Sequence, residues 1–173
     1  MSTVNQGHIE LDAESIYKDF CVGVRPLIKP TTALVGVISG GSWLVKRMIK
    51  DLCLSGPLGE ISSGLHRDDF AHRGLSDGGQ TKLPFEVEGA DILLIDDVLY
   101  TGRTIRAVLN ELYDFGRPAR VQLAVLVDRG GRELPIQSDY AAVRLSLTPG
   151  RKLTLEQDTQ GLFKFSMETK SAT

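Results

Sequence analysis

The chain has 173 residues, a formal net charge of −2 and an isoelectric point near 5.9. This length favours one domain with its own core, and 42% hydrophobic against 24% charged residues excludes a chain that is disordered or fibrous throughout. The slightly acidic balance argues against generic binding of nucleic acids, which usually needs a basic surface.

The first ten residues, MSTVNQGHIE, do not have the apolar core of a secretion signal, and no apolar run reaches the roughly 20 residues of a membrane helix. We therefore expect a cytoplasmic protein without a membrane partner. Cys21 and Cys53 stand apart in apolar surroundings, which favours reduced thiols over zinc ligands. We predict a single domain over residues 1–173, with residues 1–10 and 167–173 as loose tails.

Hydrophobic spacing in the first half of the chain predicts a helix over residues 11–28, with Asp12 as its N-cap. The apolar run 33–38 predicts a buried strand, which the small residues SGGS then interrupt. A helix over 43–54 and a weaker strand over 58–65 follow. Residues 66–84 are polar and glycine-rich, and a long stretch of this kind inside a compact domain is often a functional lid.

The second half of the chain also alternates predicted strands and helices. A strand over residues 91–96 (DILLID) precedes a helix over 104–115. Further strands are predicted over 121–127, 141–147, 153–155 and 162–165. The alternation predicts an α/β fold whose mostly parallel sheet is flanked by helices, with antiparallel additions at the C-terminal end. Ligands of such sheets collect at the carboxyl ends of the strands.

The string LLIDDVLYTGRTI, residues 93–105, carries the clearest chemistry. An apolar strand leads to Asp96 and Asp97, and residues 101–104 stand at a helix start, where free backbone N–H groups bind phosphate. Gly102 allows close approach of the backbone to a ligand. Adjacent carboxylates repel a phosphate but suit sugar hydroxyls or a hydrated magnesium ion. The string therefore predicts a pocket for a ribose 5-phosphate.

LLIDDVLYTGRTI resembles the PRPP-binding signature of the phosphoribosyltransferases with the type I α/β fold. Together with LAVLVDRGGRELPI (residues 123–136) and LHRDDF (residues 65–70), it is similar to the PyrR family of pyrimidine operon regulators and uracil phosphoribosyltransferases. The resemblance covers residues 36–140. It implies the type I fold with a flexible lid loop, and an enzyme that makes UMP and pyrophosphate from uracil and PRPP with Mg²⁺.

The resemblance also implies roles for single residues. Asp96 and Asp97 would bind the ribose hydroxyls and Arg67, on the lid, would meet pyrophosphate after closure, so we take these three as catalytic. The loop around the 5-phosphate would consist of Val98, Leu99, Tyr100, Thr101, Gly102, Arg103 and Thr104. We expect no direct metal ligation by the protein, because PRPP would carry Mg²⁺ near the two aspartates.

Two further loops complete the expected site. Ser39, Gly40 and Gly41 would form the pyrophosphate loop, since small residues in a turn can build an anion nest. The family usually has an arginine where this chain has Gly40, so we expect weaker PRPP binding or compensation by another cation. Residues 127–136 would recognise the pyrimidine, with Arg129 along the pyrophosphate or over the base. No residue stands out as the acceptor of the uracil N1 proton.

Three alternatives stay open. One is an RNA-binding attenuator that responds to UMP, for which arginines between residues 100 and 132 would supply a basic surface. These are Arg103, Arg106, Arg117, Arg120, Arg129 and Arg132. RNA is a doubtful partner, because Gly131 and Gln137 replace a histidine and an arginine assigned to RNA in PyrR regulators. The others are a phosphoribosyltransferase for another base and a nucleotide binder without catalysis. The family also implies a homodimer or larger homo-oligomer.

Overall fold

The computed structural model describes residues 11–64, 79–148 and 150–169. The predictions for the tail 1–10, for the string LHRDDF and for Arg67 lie outside these residues. Across the described ranges, none of the helices is both long enough and apolar enough to span a membrane.

The described residues form helices and strands that alternate along most of the chain. The helices are α1 (Ala13–Val24), α2 (Gly40–Leu52) and α3 (Arg103–Asp114), and a short 3-10 turn (Arg25–Leu27) follows α1. The strands are β1 (Ala33–Val37), β2 (Leu58–Ile61), β3 (Asp91–Leu99), β4 (Arg120–Asp128), β5 (Tyr140–Arg144), β6 (Arg151–Gln157) and β7 (Phe163–Thr169). Each predicted element is present, with boundaries that differ by a few residues.

Five strands form one parallel sheet in the order β2-β1-β3-β4-β5. Because all five run the same way, their carboxyl ends share one edge. The strand order reverses between β1 and β3, and a crevice outside the strand ends forms at such a switch point. β6 and β7 pair separately as an antiparallel ribbon. This architecture confirms the predicted α/β fold with C-terminal antiparallel additions.

Core side chains cover both faces of the parallel sheet. Leu93 and Ile95 of β3 point to the face covered by α1, α2 and the β6–β7 ribbon, whereas Ile92 and Leu94 point to the face covered by α3. All four residues are fully buried. Burial on both faces explains why the strand is a continuous apolar run in the sequence and not an alternating one.

Helix α1 begins where the sequence predicts. Asp12 is its N-cap, and the Asp12 Oδ1 accepts hydrogen bonds from the backbone N–H groups of Glu14 at 3.0 Å and Ser15 at 3.1 Å. These two N–H groups have no partner inside the helix, so the cap stabilises its first turn. The predicted helix over residues 11–28 is therefore confirmed, although its last turn is the 3-10 segment.

Helix α2 begins at Gly40, three residues before its predicted start, so SGGS follows the strand as predicted but also forms the first turn of the helix. Its first turn packs too closely on the sheet for side chains. A Cβ on Gly41 would lie 2.0 Å from the Ile95 carbonyl oxygen, and one on Gly36 would lie 2.6 Å from the Ser42 Cα. Glycine is a poor helix former in isolation, which is why the sequence alone reads as a turn.

A polar cluster joins α1, α2 and β7. The Glu14 carboxylate accepts two hydrogen bonds from the Arg47 guanidinium, at 2.6 and 2.7 Å, and one from the Phe163 backbone N–H at 2.7 Å. The guanidinium also lies over the rings of Tyr17 and Phe163, at 4.4 and 5.0 Å from their centroids.

Residues 167–169 continue β7, so the predicted loose tail is wrong for these three residues.

The Glu14→Gln variant should unfold more easily than the wild type at pH 7, by about 1–2 kcal/mol, because it weakens charge-assisted hydrogen bonds. The hydrogen bonds from Arg47 hold the pKa of Glu14 below its ordinary value near 4.5, against the opposing effect of burial. A depressed folded-state pKa contributes stability above the ordinary value, and this contribution is lost as the pH falls through the folded-state pKa. Urea denaturation at pH 7 and pH 3 measures both effects.

The difference in unfolding free energy between wild type and Glu14→Gln should therefore shrink at the lower pH. Glu156→Gln, at an exposed position of β6, is the matched control and should change little at either pH. An equal difference at pH 7 and pH 3 would show that the Glu14 charge does not stabilise the fold.

Candidate active site

The two predicted ribose-binding acids lie inside β3, because this strand continues to Leu99 and does not stop at Asp96. Asp96 is buried, at 5% exposure, and Asp97 is half-buried. The Asp96 Oδ1 accepts from the Asp97 N–H at 3.0 Å, and the Asp97 Oδ1 accepts from the Val98 N–H at 2.9 Å. These short bonds orient both carboxyl groups at the carboxyl edge of the sheet.

The start of α2 lies directly against Asp97. A Cβ on Gly40 would lie 2.5 Å from the Asp97 Cγ and 2.6 Å from its Oδ2, so only glycine leaves room for this carboxylate. Ser39 stands before the helix and is exposed, and the Ile38–Ser39 peptide bond is cis. The structure therefore brings two residues of the expected pyrophosphate loop, Gly40 and Gly41, next to the acid pair.

Residues 100–104 connect β3 to α3. The Thr101 Oγ1 accepts from the Arg103 N–H at 3.3 Å. Gly102 has φ +91°, in the left-handed region, and a Cβ there would lie 3.0 Å from the Ile136 side chain. The positive φ favours glycine at this position, and the close Ile136 side chain leaves little space for a larger residue. α3 then begins at Arg103, so a short loop joins the strand that holds the acid pair to the N-terminus of this helix.

The loop after β4 lies beside the loop after β3. Arg129 is 7% exposed, and its guanidinium lies 3.9 Å from the centroid of the Tyr100 ring. Its backbone N–H donates to the Leu99 carbonyl at 3.0 Å. Gly131 has φ +70°, and a Cβ there would lie 2.4 Å from the Tyr100 Cε2. The predicted pyrimidine loop and phosphate loop are thus in contact through Tyr100.

Arg132 is part of this contact, although the sequence gives it no role of its own beyond the predicted pyrimidine loop and the basic surface. It donates from Nη1 to the Tyr100 carbonyl at 2.7 Å, from Nε to the Ile136 carbonyl at 2.8 Å and from Nη2 to the Asp128 Oδ2 at 2.6 Å. Its position four residues after Asp128, across a glycine turn, is a weak signal of such a pairing. Burial raises the pKa of Asp128, but the hydrogen bonds from Arg132 and the Gly130 N–H outweigh it and hold that pKa below its usual value.

Several arginines that suggested a basic surface are paired with carboxylates. Arg103 contacts Glu133 at 2.7 Å, and Arg120 makes two hydrogen bonds to Asp91, at 2.8 and 2.7 Å. Arg132 is held by Asp128. The surplus of positive charge is therefore smaller than the sequence indicates. The described residues hold no group of three or more His, Cys, Asp or Glu side chains suited to a metal ion.

Comparison with solved structures identifies the fold. A hypoxanthine phosphoribosyltransferase from Trypanosoma cruzi, in complex with the product IMP, matches with a TM-score of 0.58 at 18% identity over 87% of each chain. A hypoxanthine-guanine phosphoribosyltransferase from Bacillus anthracis matches with a TM-score of 0.59 at 14% identity, over 83% of this chain and 86% of that one. At such low identity the likeness shows the fold alone.

Sequence comparison reaches further. The model of the phosphoribosyl transferase domain matches residues 28–147. The bifunctional protein PyrR of Ralstonia nicotianae is 47% identical over 171 residues, which cover 94% of this chain and 98% of the relative. That of Nitrosococcus oceani is 40% identical, over 85% of this chain and 87% of the relative. The chain therefore belongs to the phosphoribosyltransferase family and, within it, to the PyrR proteins.

Proposed function

We propose that this protein is a uracil phosphoribosyltransferase, which makes UMP and pyrophosphate from uracil and PRPP. One observation carries the proposal: Asp97 of the acid pair lies against Gly40 at the start of α2, and the strand that holds the acid pair leads through a short loop with Gly102 to the start of α3. A carboxylate pair with two helix starts at the same edge of the sheet suits a ligand with a phosphate at each end and a sugar between them.

Each part of PRPP then has a partner. Asp96 and Asp97 accept hydrogen bonds from the ribose hydroxyls. Residues 98–104 surround the 5-phosphate with backbone N–H groups and the Thr101 and Thr104 hydroxyls. Ser39–Gly41, at the start of α2, meet the pyrophosphate. Arg67, which lies outside the described residues, is proposed to meet the pyrophosphate from the lid.

Mg²⁺ fits this site as an ion carried by PRPP. Mg²⁺ binds hard oxygen ligands and usually keeps several bound waters. These waters can donate hydrogen bonds to the carboxylates of Asp96 and Asp97. Bound there, the ion would neutralise the charge that develops on the leaving pyrophosphate. The half-buried position of Asp97 beside Gly40 leaves a carboxylate within reach of the pyrophosphate loop.

The reaction forms a bond between uracil N1 and ribose C1, breaks the bond from C1 to pyrophosphate and releases the N1 proton. The chain contributes mainly by holding uracil and PRPP in line, since a well-oriented pair reacts far faster than a free one. Residues 127–136, at the end of β4, are proposed to bind the pyrimidine. Their contacts with Tyr100 place them next to the phosphate loop.

Turnover of labelled uracil with PRPP and Mg²⁺, beside a panel of purines and orotate, tests the proposal. We expect UMP from uracil, little or no product from the other bases, and loss of turnover when EDTA removes the metal. Preferred use of a purine would overturn the substrate assignment. Binding of UMP without turnover of any base would overturn the assignment as an enzyme.

A further inference from the structure

Two loops at the carboxyl edge run side by side, although about 30 residues separate them in the chain. The Thr101 carbonyl accepts from the backbone N–H groups of Glu133 at 3.0 Å and Leu134 at 3.2 Å, and the Leu99 carbonyl accepts from the Arg129 N–H at 3.0 Å. On the proposed function, the first loop binds the 5-phosphate and the second binds the base. Their relative position therefore sets how the base meets the ribose.

The Arg132 side chain lies between these loops and bonds to both. Its three nitrogens donate to the carbonyls of Tyr100 and Ile136 and to the Asp128 carboxylate, with longer contacts from Nη1 to Gly130 O at 3.4 Å and Leu99 O at 3.5 Å. The side chain is 23% exposed. A guanidinium can donate hydrogen bonds to several acceptors in one plane, because its five N–H groups are spread over three nitrogens. A lysine ammonium has a single nitrogen and cannot reach the same set of acceptors.

Asp128 connects this arrangement to the sheet. It is the last residue of β4, and its carboxylate is 13% exposed. Its Oδ1 accepts from the Gly130 N–H at 3.0 Å while its Oδ2 accepts from Arg132 at 2.6 Å. The guanidinium is therefore anchored to a rigid strand end, and the two loops are held relative to that strand.

The packing around Arg132 leaves little space for the loops to shift. The Tyr100 ring contacts the Arg129 guanidinium and leaves no room for a side chain on Gly131, and a Cβ on Gly102 would lie 3.0 Å from the Ile136 side chain. Movement of either loop would displace Tyr100, which belongs to the phosphate loop.

We propose that Arg132 is a positioning residue, which holds the loop that binds the base in register with the loop that binds the 5-phosphate. The kinetic consequence rests on the proposed function, and the structural consequence does not. Loss of the guanidinium removes the side-chain hydrogen bonds between the two loops and leaves only their backbone hydrogen bonds, so the loops should move more freely relative to each other.

Hydrogen exchange of the full-length protein tests the structural consequence. In Arg132→Ala, backbone amides in peptides covering residues 129–136 and 99–103 should exchange faster than in the wild type. Arg132→Lys should resemble Arg132→Ala, because it keeps a charge near Asp128 but loses the carbonyl contacts. Arg120→Ala is the matched control: it removes another arginine bound to an aspartate, at the opposite end of β3 and β4, and should leave these peptides unchanged.

Steady-state kinetics of the same variants tests the catalytic consequence. The KM for uracil should rise roughly tenfold in Arg132→Ala, with a smaller change in the KM for PRPP, because misplacement of one loop weakens orientation of the base. If the amides of residues 129–136 exchange in Arg132→Ala at the same rate as in the wild type, the proposal is overturned. Equal changes in both KM values together with a loss of thermal stability would also overturn it, since that pattern indicates general unfolding. If the wild type does not use uracil, the proposed function fails, and the exchange experiment still decides the role of Arg132.

Discussion

The Asp97→Asn variant is expected to lose about a hundredfold in kcat/KM for PRPP and to keep the wild-type fold. Each hydrogen bond to a charged group is worth about 1.5–3 kcal/mol, so weakening the contact with the ribose hydroxyls accounts for a loss of this size. Asparagine has the volume of aspartate and keeps an oxygen that can accept from the Val98 N–H at 2.9 Å. The local backbone conformation of β3 at this point is therefore preserved.

Circular dichroism and thermal denaturation establish that the variant is folded, and steady-state kinetics with varied PRPP measures the loss. Asp19→Asn, at an exposed position of α1, is the matched control and should keep wild-type activity. Full activity of Asp97→Asn would show that Asp97 does not bind the ribose, and the assignment of the acid pair would then have to be withdrawn.

Gly40→Arg is expected to lower kcat/KM for PRPP by roughly tenfold to a hundredfold, since displacement of a positioning group by about 1 Å can cost this much. The family resemblance alone suggests the opposite, because an arginine at this position would add a cation beside pyrophosphate. In the structure, however, any Cβ at residue 40 would lie 2.5 Å from the Asp97 Cγ. The Asp97 side chain is short and would have to leave its place.

Gly40→Ala separates the two effects. It introduces the same Cβ without the charge, so its activity should fall as well if steric displacement of Asp97 is the cause. A Gly40→Arg variant with tighter PRPP binding than the wild type would contradict this prediction. It would show that the missing cation, and not the space around Asp97, limits the site.

The alternation of apolar runs and helical periodicity predicted the α/β fold because burial on both faces of a parallel sheet leaves a strong pattern in the sequence. The acid pair and the start of α3 were also predictable, since they are adjacent in one string and their chemistry is local. The true start of α2 was not. Gly40 and Gly41 are poor helix formers, and the packing of Gly41 on the Ile95 carbonyl, which decides the matter, is a contact between distant residues.

The same reason explains why the polar contacts of Arg132 and Glu14 escaped prediction. Arg132 bonds to Tyr100, which lies 32 residues earlier in the chain, and Glu14 bonds to Arg47, 33 residues later. Composition and periodicity carry no information on which charged side chains meet groups that are distant in the chain. Only Asp128, four residues before Arg132, was close enough to give a local hint.

The contact between Glu14 and the Phe163 N–H spans 149 residues, and it has a consequence for synthesis of the protein. β7 leaves the ribosome after every other described strand, whereas α1 and α2 leave early. Until β7 is synthesised and packs on α1, the Glu14 carboxylate and the Tyr17 ring lack their contacts with Phe163. Domains generally fold as units when enough of the chain has emerged. A nascent chain that stalls before β7 would therefore already contain residues 93–105, which carry the proposed ribose and phosphate site. The surface of α1 that Phe163 covers in the folded protein would still be exposed to solvent.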